Sequence, residues 1–376
     1  MSSQFTIGLP QMHKEAGERR AFLPSFVARM AQHSAQVVLE TGYGSGMSYR
    51  EDDYRRAAVS VRFAPLEEVY RQDYVLVMRY PSDAEIALMR PGSCLMTMAH
   101  YSTRPERVAD LRQRGLEALS LDSIKDDVGR RLIENLHSVA WNGLEVGFQV
   151  LASIYPAAGF ASPQRPPIRV TLIGAGAVGS HVVAAAIRYG DEALRQRMVA
   201  LGVPGVRVTV VDYDLTGHEA VMRAILADTD ILVDATQRPN PSQVVIPNDW
   251  LGYMPEHAVL VDLSVDPYDC TADPPKVKGI EGIPQGSLDQ YVFAPDDPAW
   301  GQVPSCLSTR HRRHTVSCYS WPGLHPKDCM RVYGRQLQPI MRTLITKGGL
   351  AGIDPNGRFF ERAIARAQLS RWTPTG

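Results

Sequence analysis

The stretch "RVTLIGAGAVGSHVVAAAI", residues 169–187, sets Gly174, Gly176 and Gly179 in G-x-G-x-x-G order, after an apolar run and before a helical one. In a phosphate-binding turn each glycine has its own task. Gly174 permits the tight turn out of the strand, Gly176 lets backbone approach a pyrophosphate, and Gly179 lets the helix pack against the sheet. Ala177 and Val178 complete the loop, whose phosphate would rest on the helix N-terminus. Three readings stand at this point: a nicotinamide dinucleotide, ATP bound for adenylation, or a tight turn with no ligand. The strand before and the helix after favour a ligand.

The next marker is an acid at the end of the second strand. "VRVTVVDYD" (206–214) supplies Asp212 and Asp214. A carboxylate there accepts from a ribose hydroxyl and repels a 2′-phosphate, so it favours NAD over NADP. Asp212 follows Gly179 by 33 positions, against the usual separation of about 20. The surplus is DEALRQRMVALGVPG (191–205), which is either an inserted helix or a sign that Asp212 lies on a later strand.

Around this unit, strand-like and helix-like runs alternate. FTIGLP (5–10), AQVVLETG (35–42), DYVLVMRYP (73–81) and SCLMTMAHY (93–101) read as strands; 24–33, 50–58 and 105–115 read as helices. After the glycine turn the same alternation continues through GHEAVMRAIL (217–226), DILVDAT (230–236) and HAVLVDLSVD (257–266). The pattern predicts an α/β chain with two Rossmann-like domains built on parallel sheets. Residues 127–153 read as one long helix, 267–320 resist assignment, and 326–345 read as a C-terminal helix.

Lys+Arg and Asp+Glu both number 40 among 376 residues, so net charge gives no case for nucleic acid. No apolar run approaches the roughly 18 residues of a membrane span, and the N-terminus has no apolar signal core. Five cysteines show no disulfide framework, which suggests a reducing, cytoplasmic setting. Cys306, His311, His314 and Cys318 lack a C-x-x-C pair, so no metal site is expected.

Four further stretches carry a resemblance: "GLPQMHKEAGERRAFLP" (8–24), "GSGMSYREDDYRRAA" (44–58), "YVLVMRYP" (74–81) and "LMTMAHYS" (95–102). In this order, ahead of a nucleotide turn, they resemble the alanine dehydrogenase / saccharopine dehydrogenase superfamily. That superfamily includes the N-terminal part of pyridine nucleotide transhydrogenase and opine-type members. The likeness resumes at "GAGAVG", "VLVDLSVD" (259–266) and "SWPGLHP" (320–326). "KDDVGRRL" (125–132) and "GVPGVRVTVVDYDLTG" (202–217) look more like the saccharopine branch, so alanine-type and saccharopine/opine-type remain open. "VVDYD" and "DILVDAT" also resemble ThiF/E1-like adenylating enzymes, but DLTGHEAVMRA lacks the Asn-Arg pair of that pattern. A catalytically inactive nucleotide-binding relative is the third alternative.

The superfamily resemblance implies NAD(H)-dependent hydride transfer at a CH–NH group, through an imine, on an amino acid and 2-keto acid pair. It implies His100 as general acid/base, suited by an imidazole that titrates near neutrality. Arg20, or its neighbour Arg19, would grip the substrate carboxylate through paired hydrogen bonds. Arg79 stands where the superfamily has lysine; a guanidinium can hold negative charge but cannot act as a base. Asp266, with Asp262 as alternative, would stabilise a developing ammonium. Arg131, with Arg130, would contact a longer substrate arm. The implied organisation is a substrate/catalytic domain over 1–135, completed by 325–376, and a dinucleotide-binding domain over 136–324. The active site is expected in the interdomain cleft. The partners expected are small molecules, with no nucleic acid and no membrane, and a homo-oligomer is compatible with the sequence.

Overall fold

A computed structural model describes residues 5–33 and 35–373. The chain divides into two compact units, Met1–Asn135 with His325–Gly376, and Leu136–Leu324.

In unit 1 the chain runs β1 (Thr6–Leu9), α1 (Pro24–Gln32), β2 (Gln36–Glu40), α2 (Glu51–Ala57), β3 (Val61–Ala64), α3 (Leu66–Tyr70), β4 (Tyr74–Leu76), α4 (Asp83–Ile86), β5 (Cys94–Thr97), α5 (Pro105–Gln113) and β6 (Glu117–Ser120). Unit 2 follows with α6 (Leu136–Ile154), β7 (Ile168–Ile173), α7 (Gly179–Ala186), α8 (Glu192–Ala200), β8 (Val206–Val211), α9 (Tyr213–Thr216), α10 (Glu219–Ala227), β9 (Ile231–Asp234), β10 (Val259–Asp262), β11 (Val292–Phe293) and β12 (His314–Ser317). The chain then returns to unit 1 with α11 (Pro326–Thr346) and α12 (Phe359–Ala367).

The sheet of unit 1 has the order β3-β2-β1-β4-β5-β6 with every pair parallel. Helices cover both faces, so β5 (CLMT) is buried at every position, as parallel sheets require. The returning α11 repeats apolar residues at helical spacing, and Met330, Leu337, Ile340, Met341 and Leu344 enter the same core as Ile7 and Leu95.

The sheet of unit 2 has the order β11-β12-β10-β9-β7-β8, parallel except for the β11·β12 pair. The surplus residues after α7 fold as α8, so β8 still pairs directly with β7 and brings Asp212 to the end of the second strand.

Two expectations are corrected. Residues 127–135 are not part of the long helix, which starts at Leu136. Here the carboxylate of Asp126 accepts from the N–H groups of Val128 and Arg130, and Lys125 bridges to Arg131. This local Asx-type turn outcompetes the helix. Cys270 and Cys306 are paired as a disulfide, contrary to the expectation of none. Both lie in the 267–320 stretch, whose loops and short strands the sequence pattern does not resolve; Cys94, Cys318 and Cys329 are buried and outside the disulfide. No helix among the described residues is long and apolar enough to cross a membrane.

Candidate functional site

In an open parallel sheet, ligands collect beyond the carboxyl ends of the strands where the strand order reverses. In unit 1 that point lies between β1 and β4. The chain leaving β1 carries Glu15, Glu18, Arg19 and Arg20; that leaving β4 carries Arg79, that leaving β5 carries His100, and Asp122 follows β6.

His100 has a left-handed backbone, φ +54°, a conformation histidine tolerates better than most residues. Its N–H donates to Asp122 Oδ1 at 3.1 Å, and its ring Nδ1 lies 3.3 Å from Asp122 Oδ2. The Ser120 hydroxyl donates to the same carboxylate at 2.7 Å. Burial opposes ionisation of Asp122, but the hydrogen bond and charge of His100, with Ser120, hold its pKa down to about 2. The carboxylate thus fixes the ring by Nδ1 and leaves Nε2 outward, on a side chain that is 45% exposed.

Arg20 is buried. Its Nη2 and Nε bond the two carboxylate oxygens of Glu18 at 2.6 and 2.9 Å. Burial lowers the tendency of Arg20 to be charged, but Glu18 outweighs it and raises the pKa. Glu18, despite its own burial, is held below the usual carboxylate range by Arg20. Arg79 donates to Glu15 at 2.8 Å and to Glu18 at 3.4 Å. Arg19 points to solvent, and Gly46 packs against its stem: a Cβ there would lie 3.0 Å from that of Arg19. The buried arginine therefore braces the loop while its neighbour is the exposed one. Arg130 and Arg131 are exposed on the 125–131 turn.

In unit 2 the reversal falls between β7 and β9. The glycine turn leaves β7 here. Gly174 has φ +90°, and a Cβ would lie 3.0 Å from Ala235 O; at Gly179 a Cβ would lie 2.1 Å from Gly174 O. Larger residues are excluded at both. At Gly176 nothing stands within 4 Å of a Cβ position, and Gly176 and Ala177 are exposed while Val178 is half-buried. The turn is packed tight beneath and open above, a shape that fits a pyrophosphate. Asp212 is exposed, with its carboxylate accepting from Tyr213 N–H at 2.8 Å.

Asp266 is paired with Arg238 at 2.7 Å, a residue that sequence reading did not single out. The preceding Val265 has φ +53°, a strained conformation for a β-branched residue. The N–H of Val265 donates to Asp262 Oδ1. Asp262 itself is fully buried, bonded to Lys278 Nζ at 2.9 Å and to the Ser317 hydroxyl at 2.9 Å. Lys278 and Ser317 hold the Asp262 pKa down against burial. Asp234, beside it across the β9·β10 pair, is raised to about 6 by burial and by the charge of Asp262. Asp262 is thus a structural anchor and Asp266 the accessible acid. Among the described residues no group of three or more His, Cys, Asp and Glu could hold a metal ion.

Asp122 was legible only in part. It follows a strand, β6, that the sequence pattern does not announce, and register sets it beside His100: Thr97 pairs with Ser120.

Comparison with known proteins agrees with this architecture. Residues 8–140 match the family described as "Alanine dehydrogenase/PNT, N-terminal domain". The chain is 23% identical over 273 residues to the alanine dehydrogenase of Bacillus subtilis, covering 69% of this chain and 70% of that protein. It is 24% identical over 279 residues to that of Mycolicibacterium smegmatis, covering 71% and 74%. A solved L-alanine dehydrogenase superposes with a TM-score of 0.72 at 19% identity, over 96% of this chain and 94% of that one. A transhydrogenase from Sinorhizobium meliloti superposes at 0.61 and 18% identity, over 91% and 94%. Residues 8–140 are thus similar to the alanine dehydrogenase/PNT N-terminal domain, in a chain that shares the α/β fold of L-alanine dehydrogenase.

Proposed function

We propose that the protein is an NAD(H)-dependent oxidoreductase acting on the CH–NH group of an L-amino acid or an N-substituted amino acid, with His100 as general acid/base. The observation that carries this reading is the His100–Asp122 arrangement: an accessible imidazole, held by Nδ1 on a buried carboxylate, at the carboxyl end of a parallel sheet. A nicotinamide cofactor, when bound, supplies or accepts the hydride. The 174–179 turn would hold its pyrophosphate, with Ala177 and Val178 in the loop, and Asp212 its ribose.

The protein's own groups would then do the following. His100 Nε2 gives or takes the proton that accompanies imine formation and hydrolysis. Arg19 receives the substrate carboxylate, while Arg20 and Arg79 hold the loop through Glu18 and Glu15. Asp266, oriented by Arg238, stabilises positive charge at the substrate nitrogen. Arg79 cannot serve as a base, so proton transfer falls to His100. Alanine-type and saccharopine/opine-type substrates both suit this chemistry. Adenylation is the less favoured reading, since the relatives found are alanine dehydrogenases.

Titration with NADH, NADPH and ATP, read as thermal stabilisation, tests the proposal. NADH is expected to stabilise most, by about 2.7 kcal/mol at a hundredfold excess over Kd. Stabilisation by ATP without any by NADH overturns it. A screen of NADH oxidation crossing 2-keto acids with ammonia and primary amines then separates the alanine type from the opine type.

A further inference from the structure

Around His100 the charges do not cancel. Most acids near it are engaged: Glu15 and Glu18 by Arg79 and Arg20, Asp122 by His100 and Ser120, and Glu85 by the N–H and hydroxyl of Ser82, while Glu106 faces Arg107. Several cations are not. Among the described residues Lys14, Arg104 and Arg107 form no ion pair with a carboxylate.

Arg107 is the best placed. It projects from α5, its Nη1 is 3.4 Å from the carbonyl of Ala99, the residue before His100, and its guanidinium lies 4.2 Å over the ring of Tyr80. The aromatic face fixes a planar cation and leaves its edge free to donate. Beside it, the hydroxyl of Tyr80 is a buried polar atom without a hydrogen-bond partner. Such orphans are rare and ask for an acceptor. Lys14 lies in the same field: partial burial lowers its pKa most, Glu85 opposes it, Arg79 and Arg107 lower it, and Glu15 raises it. Arg107 is likewise lowered by burial and by Arg104, against Tyr80, Glu106 and Asp122, which raise it. Both groups stay lowered despite the acids that face them, and an added anion between them would favour their charged forms.

We propose that Arg107, with Lys14 beside it, forms a second anion-binding locus next to His100, which selects a substrate bearing an acidic group in addition to its α-carboxylate. This rests on the reading of His100 as the reacting centre. Arg19 takes the carboxylate common to every amino acid, and Arg107 takes the one that distinguishes this substrate. Nothing in the charges requires such a locus if the substrate is as small and singly charged as alanine.

Two measurements on the full chain keep this separable from the proposed reaction. The first is calorimetric titration with succinate and propionate, without cofactor. Succinate is expected to bind about tenfold tighter or more, the range of one charge-assisted hydrogen bond. Arg107→Met should abolish the difference and Lys14→Met should reduce it. Equal binding of the two acids, or a preference that survives Arg107→Met, overturns the locus. The second is NADH oxidation with 2-oxoglutarate against pyruvate. A kcat/KM preference for 2-oxoglutarate that vanishes in Arg107→Met supports the locus; a preference for pyruvate overturns it. Absence of NADH oxidation with every keto acid overturns the reaction and leaves the titration to judge the locus. Because α5 is exposed on that side, Arg107→Lys serves as the conservative control, and it should keep part of the preference.

Discussion

The two units use one plan with opposite materials. Both are predominantly parallel sheets whose order reverses beside the first strand, β1 in one and β7 in the other. In unit 1 the chain that leaves the first strand carries Glu15, Glu18, Arg19 and Arg20, and the candidate site is made of side chains. In unit 2 the same position is a glycine turn, and the candidate site is made of backbone. The difference extends to buried charge. In unit 1 the histidine paired with Asp122 is nearly half exposed, whereas in unit 2 Lys278 and Asp262 are sealed together. A half-exposed pair can exchange protons with a ligand; a sealed one fixes the strand ends from which the ligand site grows.

Three experiments break or sharpen that contrast. His100→Gln should lower kcat by about 10²- to 10⁴-fold, the range of general acid/base catalysis, while the unfolding free energy moves by less than about 1 kcal/mol. An equal loss of stability would make His100 structural. Lys278→Met should do the reverse, destabilising the fold by about 3–5 kcal/mol because Asp262 is left buried and unpaired; denaturant unfolding reads it. The smallest effect concerns Asp234, whose folded pKa is raised to about 6. Its ionisation is easier in the unfolded chain, so its contribution is neutral below the ordinary carboxylate range and turns unfavourable as pH rises to about 6. Asp234→Asn should flatten the stability profile over that window, by on the order of 3 kcal/mol. A profile unchanged by the substitution would show that Asp234 does not titrate there.

Much of the fold was legible because it follows periodicity. The apolar runs at 74–81, 93–101, 168–174 and 230–236 became β4, β5, β7 and β9. The parts that were not legible depend on local chemistry or on partners distant in sequence. The Asp126 turn displaced a helix that apolar spacing alone predicts. Arg19 and Arg20 look alike in the chain, and only burial against Glu18 tells them apart. Asp122 and Arg238 become meaningful once strand register sets them against His100 and Asp266. The Cys270–Cys306 pairing lies in loops whose closure no periodicity announces.

The broken connectivity of unit 1 has a consequence for synthesis. Its core needs Leu337, Ile340, Met341 and Leu344 of α11, and Ala363 and Ile364 of α12, all from the last tenth or so of the chain. A ribosome delivers residues at about 5–20 per second, so the first sheet waits many seconds for its final helices while the continuous segment 136–324 already has all its strands. Unit 1 is thus the last to close, although all six of its strands are made first. A nascent chain arrested before α11 should hold a folded second unit beside a first unit that chaperones and proteases still treat as open.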